Sequence, residues 1–275
     1  METTWKKTSR KTFYYLATFL FSLVYIVPMW MVVVNSLKDA KEANLFGISL
    51  PASLKFVNYR TVFESANVGR AFANGLILSV GSVVLILVLA SLASFAIARS
   101  RRRSLQIYYY IFIVGLIVPV AFIPTYLVLD KLYLLNTYTG LVLVSATFGL
   151  PMSIFLYAGF IRTIPSELDE AGIIDGCRPL ALFFRIIFPL LKPVTMTLLI
   201  FNFVGSWNDI QIPLFFANGD KWGLPLTVYN FYGSYLQSWN LIFADILLTV
   251  FPLLLLYILA QRHIISGMTA GAVKG

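Results

Sequence analysis

The chain is poor in the residues that usually carry chemistry. It has one cysteine, Cys177, and one histidine, His263, among 275 residues. One thiol excludes an intramolecular disulfide and any multi-cysteine zinc or iron–sulfur site, and one imidazole excludes a histidine cluster. Charge is also scarce. Only 12% of residues are Asp, Glu, Lys or Arg, against about 25% in a soluble protein. The phosphate-cradling pattern G-x-x-x-x-G-K-[ST] does not occur. These shortages argue against a water-soluble enzyme. They predict a chain with no catalytic residue, no metal site and no cofactor of its own.

Apolar residues are in excess, at 59% where roughly 45–50% is ordinary. They fall in long blocks. A helix crossing a bilayer needs about 20 mostly apolar residues, and six blocks qualify: 13–34, 71–97, 105–129, 138–160, 193–217 and 239–260. The expected fold is therefore all-α, a polytopic membrane protein with six transmembrane helices. Lys6, Lys7, Arg10 and Lys11 precede the first block, as in a signal peptide. Its apolar run exceeds an h-region of about 7–15 residues and ends without a small-residue cleavage pattern, so it reads as retained.

Six spans put both termini on one side, and basic residues choose which. With the N-terminus inside, 14 Lys and Arg lie on the inner side and seven on the outer, the cluster Arg101, Arg102, Arg103 being the strongest vote. The expectation is N-in and C-in. This flanking pattern also accounts for the net charge of +9 without a nucleic-acid partner. The division is then an inner N-terminal segment 1–12, a transmembrane domain 13–261 and an inner tail 262–275.

The longest inner connection, 161–192, lies between spans four and five and reads as a built helix-turn-helix. Ser166 is a candidate N-cap, with Asp169 three residues on as a weak capping box. Leu168, Ala171 and Ile174 share a partly apolar face. Gly176 suits a left-handed stop, and Pro179 suits the first turn of a second helix. Pro189 and Pro193 mark the entry to span five. An acidic first helix would be repelled by anionic lipid, so a protein-docking surface fits better than a helix resting on headgroups.

This segment resembles the EAA loop of bacterial ABC importer permeases: Glu170, Ala171, Gly172, then Gly176, then RIIFPLLKP at 185–193. Gly172 stands where the family has a second alanine. IPTYLVLDKLYLLNTYTGLVL at 123–143, WNDIQIP at 207–213 and QRHIISGMTAGAVKG at 261–275 narrow the resemblance to the carbohydrate-uptake branch, similar to the smaller membrane subunit of the maltose system. It implies a bacterial cell-membrane protein that works with a second, homologous permease, a cytoplasmic ATPase dimer that binds ATP and Mg, and an extracellular solute-binding lipoprotein that delivers a sugar. It also implies that Glu167, Leu168, Glu170, Ala171, Gly172, Asp175 and Gly176 form the element that couples to the ATPase.

A path for sugar needs hydroxyl partners and aromatic faces. Asn74, Tyr126, Asn202, Trp207, Asn208, Asp209 and Asp245 are the candidates for path or gate. Helix packing is the alternative for each, since polar residues within spans also join helices. Trp207–Asp209 can equally hold a bent helix together near Pro213, and Asp245 needs a partner or water. No Lys or Arg falls inside the spans, which favours a neutral solute over a glycerophosphate, with a polyol still open. An ion-coupled carrier, with Asp209 and Asp245 as its carboxylates, is the rival of another class.

Overall fold

The computed structural model describes the backbone of residues 4–232 and 238–272, and the side chains of residues 11, 13–232 and 238–258. Every principal element among them is helical. They are α1 (Thr4–Ser36), α2 (Val57–Ser65), α3 (Val68–Arg99), α4 (Arg103–Gly115), α5 (Phe122–Lys131) and α6 (Tyr138–Ile161). Then come α7 (Glu167–Ile174), α8 (Pro179–Leu190), α9 (Lys192–Trp207), α10 (Gln211–Phe216) and α11 (Trp239–Ala272). Four are long and apolar enough to cross a bilayer, over Phe13–Ser36, Val68–Arg99, Tyr138–Ile161 and Trp239–Ile258. The bent pair α8 and α9 makes up to five.

Two expected spans are not single helices. The block 105–129 breaks into α4, of 13 residues, and α5, of 10. At 1.5 Å per residue, α4 reaches about 20 Å, short of a hydrocarbon core of about 30 Å. Pro119 is the cause. It has no N–H to donate and drives Val118 out of helical backbone. The block 193–217 breaks between Trp207 and Gln211. There Pro213 cannot supply the N–H that would bond the Asp209 carbonyl four residues back.

The described contacts divide the chain into two compact units. The first joins Met1–Gly69 to Thr227–Phe251. Its centre is a polar knot. The Lys38 ammonium, 1% exposed, donates to Asn35 Oδ1 and the Gly47 carbonyl, both at 3.1 Å. Asn58 donates to the carbonyls of Ser36 and Lys38 and accepts from Asn240 at 2.9 Å. Phe46 packs edge-on against Trp239 at 4.7 Å. These contacts tie the segment after α1 to the start of α11.

The second unit joins Arg70–Leu226 to Pro252–Gly275. One buried cluster draws Ala90 and Ile97 of α3, Ile154, Tyr157 and Ile161 of α6, Phe183 and Ile187 of α8, and Leu191 and Leu198 together. The second half of the inner connection is thus rooted in the same core as the spans. Another cluster, with Leu78, Leu129, Leu141, Val144, Ile212 and Phe216, joins α3, α5, α6 and α10.

Candidate functional site

The helix-turn-helix of the inner connection is present. α7 ends at Ile174, and Gly176 has φ +81°. The Cys177 amide donates to the Gly172 carbonyl at 2.9 Å and the Gly176 amide to Ile173 at 3.0 Å. This is a Schellman stop, which needs the left-handed residue that glycine supplies without a Cβ penalty. Pro179 opens α8. A π-helical stretch covers Phe183–Ile187. After Leu190 the chain turns by 78° into α9, with Pro193 in its first turn.

The expected Ser166 cap is absent. Ser166 has helical backbone, φ −70° and ψ −19°, and makes no side-chain capping bond. Its carbonyl accepts from Asp169 and Glu170. The Asp169 carboxylate turns elsewhere, to an ion pair with Arg99 at the end of α3. Gly172 faces inward. A Cβ there would lie 2.6 Å from Leu182 Cδ1 and 2.8 Å from Ile186 Cδ1, so α8 packs directly on the α7 backbone. Ala171, Glu167, Glu170 and Asp175 are exposed. Leu168, Ile173 and Ile174 are exposed too, Ile174 at 86%. The outward face is therefore apolar with an acidic rim.

The motif at 207–209 resolves into three jobs. Trp207 is 2% exposed. Its ring stacks on Phe203 and meets Phe72 edge-on, both at 5.8 Å, and lies against Gly75 of α3. Asn208 Nδ2 donates to the Val204 carbonyl at 3.1 Å and closes α9. Asp209 Oδ1 accepts from the Ile212 amide at 3.1 Å and opens α10. Asp209 also lines a cavity of about 180 Å³, with Ile86, Ser145, Phe148, Gly149, Phe201, Asn202, Gly205, Ser206 and Ile212. Asn202 Nδ2 donates to Ser153 Oγ at 3.1 Å and to the Leu198 carbonyl at 2.8 Å.

The remaining candidates are not among the residues that line this cavity. Asn74 is a staple. It donates to the carbonyls of Asp220 and Trp222, each at 3.0 Å, and accepts from Tyr138 at 2.7 Å. At that loop Lys221 holds the Asp220 carboxyl below the usual carboxylate range, chiefly through a hydrogen bond. Tyr126 is 46% exposed on α5. Asp245 belongs to the first unit, 1% exposed, and accepts from the Thr227 hydroxyl at 2.8 Å. The side chains of 262–275 lie outside the described residues.

Sequence reasoning missed Ser145, Ser206 and the phenyl rings of the cavity, since isolated serines in apolar helices carry no spacing signal. A larger, mostly apolar cavity of about 390 Å³ borders the break at 116–121. It is lined by Gly115, Val118, Pro119 and Ala121, and by Val144, Thr147, Phe148 and Pro151 of α6. Both breaks thus open beside α6, and Phe148 borders both cavities.

The chain is 38% identical to a probable starch degradation products transport system permease protein of Thermoanaerobacterium thermosulfurigenes, over 94% of this chain and 97% of that one. It is 36% identical to a multiple sugar-binding transport system permease protein of Streptococcus mutans, over 92% and 93%. It is 33% identical to a melibiose/raffinose/stachyose import permease protein of Bacillus subtilis, over 91% and 92%. The crystal structure of a bacterial ABC transporter involved in import of the acidic polysaccharide alginate shares the fold, with a TM-score of 0.80 over 94% of this chain and 97% of that chain at 19% identity. Residues 86–270 match the family model of binding-protein-dependent transport system inner membrane components. This multi-pass cell-membrane protein belongs to that family.

Proposed function

We propose that the chain is a permease subunit of an ATP-driven importer that moves a sugar, a di- or oligosaccharide, into the cytoplasm. The observation that carries this reading is the near full-length match to relatives whose names specify sugar uptake. The chain crosses the membrane six times with both ends inside, spans three and five passing as broken helices over 105–129 and 193–217. Residues 13–261 form the transmembrane domain, and 1–12 and 262–275 stay in the cytoplasm. A second, homologous permease completes the pathway. A separate ATPase dimer binds ATP and Mg and hydrolyses the nucleotide, and an extracellular binding protein delivers the sugar.

α7 seats in a groove of the ATPase. Its exposed Leu168, Ile173 and Ile174 supply the apolar contact, each worth about 1.5–3 kcal/mol when buried. Glu167, Glu170 and Asp175 rim that contact with charge. The cavity holding Ser145, Asn202, Ser206 and Asp209 between two phenyl rings offers hydroxyl partners and an aromatic face, the two surfaces a sugar needs. The lack of Lys and Arg in the spans supports an uncharged cargo.

The test is isolation of the tagged protein from its native membrane in mild detergent, followed by mass spectrometry. A homologous permease and a P-loop ATPase are expected to come with it. Vesicles holding the isolated complex then take up raffinose or maltotriose with ATP inside, once the binding protein is added. An intact chain isolated repeatedly without an ATPase overturns the reading and favours the ion-coupled carrier. Uptake of glycerol 3-phosphate but of no sugar overturns the cargo alone.

A further inference from the structure

Arg99 is the last residue of α3. In the structure it is the meeting point of three elements. Its guanidinium donates through Nη1 and Nη2 to the Ile164 carbonyl, both at 3.1 Å, just beyond the end of α6. Nη2 also reaches Asp169 Oδ1 at 3.4 Å, and Nε pairs with Asp169 Oδ2. The two side chains are 19% and 14% exposed, so water screens the pair far less than a surface pair. The guanidinium reaches carboxylate and carbonyl at once from several nitrogens, which a lysine's single ammonium nitrogen cannot do. Of the three acids in the first turn of α7, Glu167 and Glu170 face outward, and only Asp169 is turned back to the spans.

We propose that Arg99 and Asp169 form a pin that makes α3 move with α7. The inference rests on the coupling role proposed above for α7. Along the chain, α7 connects only to α6 on one side and to α8 on the other. Nothing covalent joins it to α3, whose final residue is 70 positions away from Asp169. With the pin in place, a displacement of α7 by the ATPase pulls on the inner end of α3 directly. Without it, α3 follows through the softer apolar contacts of Ile97 and its neighbours, and through the bond that the Ser94 hydroxyl donates to the Ile154 carbonyl of α6 rather than to α7. Arg99 and Asp169 are positioning residues, acting through α7 and touching no cargo.

The test uses the intact importer, with spin labels on Arg101→Cys and Ser166→Cys in a Cys177→Ser background. The distance between labels is measured nucleotide-free and after trapping with ATP, Mg and vanadate. The expected result is one distance in both states for the otherwise native importer. In Asp169→Asn the distance is expected to shift by about 2 Å or more between states, the scale of a helix slipping past its neighbour. Asp169→Glu restores the fixed distance, a rescue that general loosening would not give. A state-dependent distance with the native pair overturns the pin, and so does a fixed distance in Asp169→Asn. If Asp169→Asn fails to assemble, Arg99→Lys decides: it keeps the charge and loses the fork, and a fixed distance in it overturns the proposal. A native preparation that holds no ATPase refutes the importer reading instead, which separates the two failures.

Discussion

Gly172 and Gly176 sit four residues apart and need glycine for different reasons. Gly176 adopts φ +81° with open space around it, so Gly176→Val meets only a backbone penalty, about 1–2 kcal/mol. It is expected to turn the chain out of α7 at a wrong angle, and loss of co-purified ATPase measures this. Gly172 is limited by space. A Cβ there presses on two methyl ends that can rotate away, while alanine gains about 0.8–1.0 kcal/mol of helix propensity. Gly172→Ala is expected to leave uptake and melting temperature near native, and Gly172→Leu to separate α7 from α8 and abolish uptake. Asp209 allows a similar separation. Asparagine keeps the oxygen that accepts from Ile212, so Asp209→Asn is expected to melt with the native protein. Asp209→Ala loses the bond to the Ile212 amide, about 1 kcal/mol, seen as a lower melting temperature.

Among the elements, the inner connection was the most legible because its punctuation is local. Gly176, Pro179 and Pro193 each act within a few residues, and each stands where the sequence puts it. The Ser166 cap failed because Ser166 itself takes helical backbone, not the extended backbone a cap needs, and the Asp169 carboxylate that would reciprocate is bound to Arg99, a partner 70 residues away that no local pattern reports. The broken spans were missed because hydropathy sums side chains and ignores backbone. Pro119 and Pro213 carried the warning, yet Pro151 and Pro252 lie inside continuous helices, so proline alone does not separate the cases. Asn74 shows a candidate path residue whose hydrogen-bonding groups are engaged by a loop and a neighbouring helix. Asn74→Leu leaves the Asp220 and Trp222 carbonyls without their donor, at about 1–3 kcal/mol. Its expected signature is faster proteolysis of the loop at 218–222.

For the whole molecule, family membership was legible from motifs spread along the chain, while the number of crossings was not settled by length. Thiol labelling from each side of sealed vesicles addresses this in the Cys177→Ser background. Asn136→Cys is expected to react from outside and Ser166→Cys from inside, and the reverse pattern overturns the N-in assignment. The two breaks carry a further consequence. Amides and carbonyls released from a helix are tolerated within a bilayer only against protein or water, so the segments 116–121 and 208–210 cannot face acyl chains. Both therefore mark the sides of the second unit turned away from lipid. In deuterated buffer the amides of Val120, Ala121 and Ile210 should exchange well ahead of those in α3 and α6, and isotope uptake at these positions in the membrane-embedded protein would outline its wet seam.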